Sequence, residues 1–507
     1  MKKIVTILLL ICLSISFCAC DSSNNAVVND FRATATENNP TVMGMFYRNV
    51  AGHDLTSEDS AIKEVDKKAD AMLESIENYS DTVKAGEGKK TYYLSNNGDD
   101  KNDGLTPETA RKNYFAVKSF LEEGDAVLFQ RGDLFREQIQ VVSGVSYGAY
   151  GEGIKPRIYC SVDGSKNGSG KWEETDTDDV WCFNKVITDY SNMIFNNGEA
   201  IGRPVKDFEK ITERELNVAY KGGKVYLYCP KGNPADVYKI IEIVEGISCV
   251  TGSGQEHKNI HIQNLCIMYG NFGIAGVTNT ENFEVDGCII GYVGGKDLIK
   301  GVTSLGNGIE LWGNVHNAKI HDNYVFQCFD TGITHQTSST MEFSVEVDDI
   351  YYTDNLIEYC HWSFEGWVPE IGTNSSWDKP EYFEKGYTSR MGEVRIENNI
   401  CRFAGYGWGT LDRRDASSCD IMYRSFMHDE KLVITGNTFD RPRYGVCSFA
   451  TCAKKDLLEF TNNTILQTKK RQVFNILENE IKTHEDINAY MGKYFSDYLG
   501  TTLIEIK

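Results

Sequence analysis

Ala318-Lys319-Ile320-His321-Asp322-Asn323-Tyr324-Val325 and Ile350-Tyr351-Tyr352-Thr353-Asp354-Asn355-Leu356-Ile357 are two copies of one pattern. Apolar residues stand at the first, third and eighth places, and asparagine at the sixth. Upstream, the pattern reads Ile260, Ile262, Leu265, Ile267 and Phe283, Val285, Cys288, Ile290. Downstream it reads Val394, Ile396, Asn399, Cys401, then Leu432, Ile434, Asn437, Phe439, then Leu458, Phe460, Asn463, Ile465. Asparagine holds its place in five of these seven copies. Copies spaced by 23 to 44 residues imply a solenoid with loop insertions of unequal length.

The pattern has a physical cause. Rungs of a coiled β-solenoid stack about 4.8 Å apart, so equivalent positions form columns. Apolar columns fill a core that each rung completes only against its neighbours. Inward-turning asparagines can bond the asparagine above and below, as amide ladders do in stacked sheets. A second strand follows most copies, often opening on glycine. It reads Asn307-Gly308-Ile309-Glu310-Leu311-Trp312, Thr331-Gly332-Ile333-Thr334-His335-Gln336 and Trp362-Ser363-Phe364-Glu365-Gly366-Trp367, and, one repeat later, Tyr406-Gly407-Trp408-Gly409-Thr410-Leu411.

The fold expected is all-β, a right-handed parallel β-helix over residues 91–476. An insertion over 166–249 holds Trp172 and Trp181 and lacks the repeat. Residues 56–90 are expected to be helical, with Ala61, Val65, Ala69, Met72 and Ile76 on the apolar face. Residues 477–507 are expected to cap the end of the coil.

The opening Tyr92-Tyr93-Leu94-Ser95-Asn96-Asn97-Gly98-Asp99-Asp100, with Gly124-Asp125 and Arg131-Gly132, resembles the N-terminal segment of secreted members of the pectate-lyase-like β-helix superfamily. That resemblance covers about residues 91–476 and implies the fold. It does not choose an activity, because the fold hosts lyases, hydrolases, esterases and adhesins. The polygalacturonase motifs are absent, and so is a pectate-lyase set of calcium aspartates with a catalytic arginine.

The N-terminus reads as an address. Lys2 and Lys3 precede the apolar run 4–17, and Phe17-Cys18-Ala19-Cys20 resembles a lipoprotein cleavage site with lipid on Cys20. A tether over 20–55 and an extracytoplasmic, membrane-anchored location on a bacterial cell surface follow from that reading. With 52 Lys+Arg against 73 Asp+Glu, the net charge of −21 disfavours a nucleic-acid partner. The 15 cysteines show no zinc spacing and read as buried thiols. A monomer is expected, with no cofactor; Ca²⁺ would suit clustered carboxylates, but no calcium-loop motif is present.

Strand alternation places the chemistry. With Ile309, Ile333 and Phe364 inward, Glu310, Thr334 and Glu365 form one outward column, and Trp312, Gln336 and Trp367 the next. Carboxylates beside indoles suit a sugar, whose C–H faces pack on the ring while its hydroxyls meet the acids. Glu310 and Glu365, two rungs apart, are the candidate acid and base of a glycoside hydrolase, in unassigned order. Asp412 is a third candidate, and Trp408 a further sugar platform. Arg413, Arg414 and His335 would instead serve a lyase acting on a uronate, although His335 falls in the inward column. A non-catalytic glycan-binding surface protein explains the same face.

Overall fold

The computed structural model describes residues 59–252, 256–299, 303–337, 344–368, 388–411, 418–425, 430–450, 455–469 and 471–506. The chain is a right-handed parallel β-helix. Its first ladder follows the repeat residue for residue. Ile260, Phe283, Ala318, Ile350, Val394, Leu432 and Leu458 stack in one column, and Ile262, Val285, Ile320, Tyr352, Ile396, Ile434 and Phe460 in the next. All are buried in one continuous core. Burial at about 25 cal/mol per Å² of apolar surface drives the stacking.

Between the first strand and the second sheet the chain turns through a left-handed residue. Asp322, Asp354, Asn398 and Asn462 hold φ of 54–56°, a conformation that Asn and Asp tolerate better than other side-chain-bearing residues. The next residue is the repeat asparagine. Asn323, Asn355, Asn399, Asn437 and Asn463 are completely buried. In the first four, backbone N–H and Nδ2 both donate to Oδ1 of the asparagine one rung on, at 2.9–3.1 Å. Nδ2 of Asn355 and of Asn399 donates back to a carbonyl of the preceding rung at 2.8 Å. The ladder therefore satisfies buried amides that would otherwise cost about 1–3 kcal/mol each.

Four strands carry the face of interest: β1 (Ile309–His321), β2 (Thr331–Gln336), β3 (Trp362–Trp367) and β4 (Cys419–Ser425). They pair in parallel, in that order. The fourth rung departs from the sequence reading: Trp408–Leu411 is a 3-10 turn, and the strand arrives only at Cys419. The Gly-rich 406–411 segment mimics a strand start, but Gly407 and Gly409 pass against the backbones of Tyr359 and Phe329.

Helix α1 (Ser60–Glu77) is capped by Asp59, whose side chain accepts from the Ala61 N–H at 2.9 Å. Its buried face is Ile62, Val65, Ala69, Leu73 and Ile76. Thus Ile62 and Leu73 are the buried positions, and the expected Ala61 and Met72 flank them, partly buried against the same clusters, because the helix faces the sheet about one residue further round. An 18-residue helix is about 27 Å long, or five to six rungs. α1 runs along the second sheet: Ile62 and Val65 cluster with Leu466 and Ile506, and Ala69, Leu73 and Ile76 belong to the cluster that extends through Ile400 and Leu356 towards Cys266. Midway, buried Arg402 binds Asp66 of α1, Asp440 (2.8 Å) and Glu358 (3.3 Å).

Residues 161–245 form two small sheets around Phe183, Met193, Phe195, Leu227 and Ile243. They lean on the coil through Ser191, whose hydroxyl donates to the Gly294 carbonyl at 2.7 Å. At the far end, Asn479–Lys482 turns back antiparallel on Gln472–Ile476, while Thr502–Ile506 still extends the second sheet. All eleven described cysteines are free thiols, and ten are buried.

Candidate active site

The register places Glu310 beside Thr334 and Thr334 beside Glu365, and Trp312 beside Gln336 and Gln336 beside Trp367. Ile309, Ile333 and Phe364 fill the core from the neighbouring column. The two carboxylates therefore stand on the same outer column two rungs apart, about 9–10 Å at the backbone. Trp312, Gln336 and Trp367 are partly exposed beside them.

The two acids have different surroundings. Glu310 accepts from Asn307 Nδ2 at 2.7 Å. Burial pushes its carboxyl up to about 7, and the negative charges of Asp330 and Glu365 add to the rise against the Asn307 bond. Glu365 is 5% exposed. Its Oε2 accepts from Thr331 Oγ1 at 3.1 Å and from Gln336 Nε2 at 2.9 Å. Its Oε1 lies 3.4 Å from Arg424 Nε. Two donors and a guanidinium suit a carboxylate, whereas Glu310 has one donor and two acidic neighbours.

Three contributors were not legible in the repeat. Asp330 precedes β2 and is buried against the site. Asn307 links rungs, its Oδ1 accepting from the Thr331 N–H at 3.1 Å while its amide binds Glu310. Arg424 lies over the buried indole of Trp362, 5.1 Å from the ring centre. The signal for Asp330 was its place one residue before a Thr-Gly-Ile strand start.

Two candidates fall elsewhere. His335 is 1% exposed inside the coil, with Nδ1 3.1 Å from the Tyr352 hydroxyl and Nε2 3.2 Å from that of Tyr423. Burial depresses it to about 3, so it is a neutral core residue, and it does not reach the outer face. Trp408 is 4% exposed, donates from Nε1 to the Gln327 carbonyl at 2.7 Å and packs edge-on against Phe329. It is a wedge within the fold and offers no open ring to a sugar. Asp412, Arg413, Arg414 and Cys20 lie outside the described residues. Among the described residues, no group of three or more His, Cys, Asp or Glu is arranged to hold a metal ion.

No family model matches the chain, and no curated protein matches it. Solved structures similar to it include XylC in complex with xylose, at 11% identity and TM-score 0.42, covering 77% of this chain and 73% of that one. A glycoside hydrolase is similar at 8% identity and TM-score 0.42, covering 82% and 96%. A lacto-N-biosidase of glycoside hydrolase family 136 from Eubacterium ramulus is similar at 15% identity and TM-score 0.34, covering 82% and 68%. Likeness at this level adds nothing about chemistry, which rests on the side chains above.

Proposed function

We propose that this chain is a carbohydrate-active enzyme that hydrolyses glycosidic bonds, with Glu310 as general acid and Glu365 as general base. The observation that carries the reading is one outer column holding two carboxyls in opposed environments. Burial and acidic neighbours keep a proton on Glu310 near neutral pH. Donors and a guanidinium surround Glu365. Pairs of carboxyls whose environments are pushed apart in this way are how acid and base roles are divided.

In this mechanism Glu310 protonates the glycosidic oxygen as its bond to the anomeric carbon breaks. Glu365 takes a proton from a water whose oxygen attacks that carbon from the opposite face. The separation of two rungs suits the roughly 6.5–9.5 Å that leaves room for the water, so inversion is the expected outcome. Trp312 and Trp367 would take the sugar faces. The apolar run before Cys20, with the two lysines ahead of it, supports a location outside the cytoplasm on a lipid anchor.

A panel of plant and host polysaccharides tests this, read for reducing ends and ultraviolet absorbance together. Reducing ends without absorbance, lost in Glu310→Gln and in Glu365→Gln, are expected. Absorbance rising with the reducing ends would replace hydrolysis by β-elimination. Retention of a glycan without turnover, unchanged by Glu310→Gln and lost in Trp312→Ala, would make the face a binding surface.

A further inference from the structure

β4 does not match β3 one residue to one. Gly366 stands opposite Tyr423 and Trp367 opposite Ser425, so Arg424 is an extra residue in a β-bulge. A bulge bends its strand and re-aims the side chain it carries. Here the guanidinium is turned onto the outer face, with its carbon 5.1 Å from the centre of the Trp362 ring and Nε 3.4 Å from Glu365 Oε1. Trp362 is completely buried, so the shelf under Arg424 is rigid. The remaining Glu365 oxygen is fixed by Thr331 and Gln336, from the rung below. Thr331 and Gln336 thus hold one oxygen from β2, and Arg424 meets the other from β4.

We propose that Arg424 is a positioning residue, set on the site face by the bulge and seated over Trp362 so that it orients the Glu365 carboxylate and favours its ionised form. This rests on the hydrolytic reading above and names what that reading requires of Glu365. Titratable neighbours of the pair include Glu310 on β1, which feels the Glu365 charge and that of Asp330 ahead of β2, and the Cys419 thiol on β4, which feels both Glu365 and Arg424. Where Glu310 ionises it opposes a charge on Glu365, and Arg424 is a cation that offsets it. A planar guanidinium stacks on an indole and a lysine ammonium does not lie flat in that way, so Arg424→Lys should keep charge but lose aim.

Infrared difference spectra between the full chain and Glu365→Gln, taken across pH, isolate the Glu365 carboxyl band without any substrate. The same difference in an Arg424→Met background should titrate at higher pH by about one unit or more. Arg424→Lys should restore the midpoint in part, while leaving turnover on a responsive polysaccharide below that of the parent. An unchanged midpoint in Arg424→Met overturns the proposal. A moved midpoint alongside full turnover in Glu365→Gln confirms the hold of Arg424 on Glu365 and rejects the hydrolytic reading instead. Should Arg424→Met fail to fold, Arg424→Gln offers the same loss of charge with a polar end for the exposed face.

Discussion

The asparagine column and the Glu310–Thr334–Glu365 column both stack polar side chains in register, yet one repeats its residue and the other changes it. In the asparagine column every amide finds its partner one rung away. Nothing is left over for a ligand. In the glutamate column the sequence runs acid, hydroxyl, acid, thioether, hydroxyl, amide, from Glu310 through Met422 to Ser448 and Asn475. Its side chains borrow partners from neighbouring columns, as Glu310 does from Asn307 and Glu365 from Gln336. Translational symmetry along a coil serves stability, and the local break in it on the outer face is where the proposed chemistry would sit.

The largest effect that separates the columns is on turnover. Glu310→Gln and Glu365→Gln are each expected to lower it by about 10²–10⁴-fold while the far-ultraviolet spectrum is unchanged. Full activity in both would move the site elsewhere. Asn399→Ala, in the middle of the ladder, should do the reverse. It strands the Asn355 donors, costs about 1–3 kcal/mol or more in urea unfolding, and leaves turnover per folded molecule intact.

Smaller effects test the charges. A general acid works while protonated, so activity should fall as pH rises through the Glu310 value of about 7. Asp330→Asn removes a negative charge that raises that value and should move the alkaline limb to lower pH. Asn307→Ala removes the bond that lowers it and should move the limb to higher pH. Each shift is expected to be up to about one unit. Opposite signs from these two variants would be hard to obtain from a general loss of structure.

The last test lies inside the coil and is read in stability, not turnover. Asp420 is buried beside Ser363, whose hydroxyl donates to it at 3.0 Å. Burial holds its carboxyl well above the ordinary range, against the Ser363 bond, and the Asp440 charge adds to the rise. The folded state therefore keeps a proton that the unfolded chain releases at about pH 4. Stability falls as pH rises above that point. Asp420→Asn should melt at a higher temperature than the parent at pH 7, with the gap closing below about pH 4.

The sequence made the columns legible because parallel stacking imposes one environment on each repeat position. Apolar residues and asparagine betray that environment even when insertions stretch the spacing. The outer register was legible too, since Gly332-Ile333 and Gly308-Ile309 mark the same place in successive rungs. Asp330 and Arg424 were not. Asp330 sits at a corner, before alternation begins, and Arg424 sits in a bulge, where alternation is suspended. Trp408 misled for a related reason: a glycine on each side of a tryptophan resembles a strand start, and only the backbone crowding at Gly407 and Gly409 shows a turn wedged beneath its neighbours. His335 followed alternation faithfully, and its inward place removes it from the chemistry.

Helix α1 has a consequence in time. A coil whose rungs touch only their neighbours can be laid down rung by rung as it is made. Here the first described helix rests its Ile62 and Val65 on Leu466 and Ile506, the latter in the last described strand. The end of the helix that carries Ile62 and Val65 must therefore wait for residues about 400 positions later before it is covered, whereas Ala69, Leu73 and Ile76 pack with rungs from Cys266 to Ile400. Once docked, α1 ties distant rungs into one cooperative unit, so that fraying at the C-terminal end has to release the helix as well.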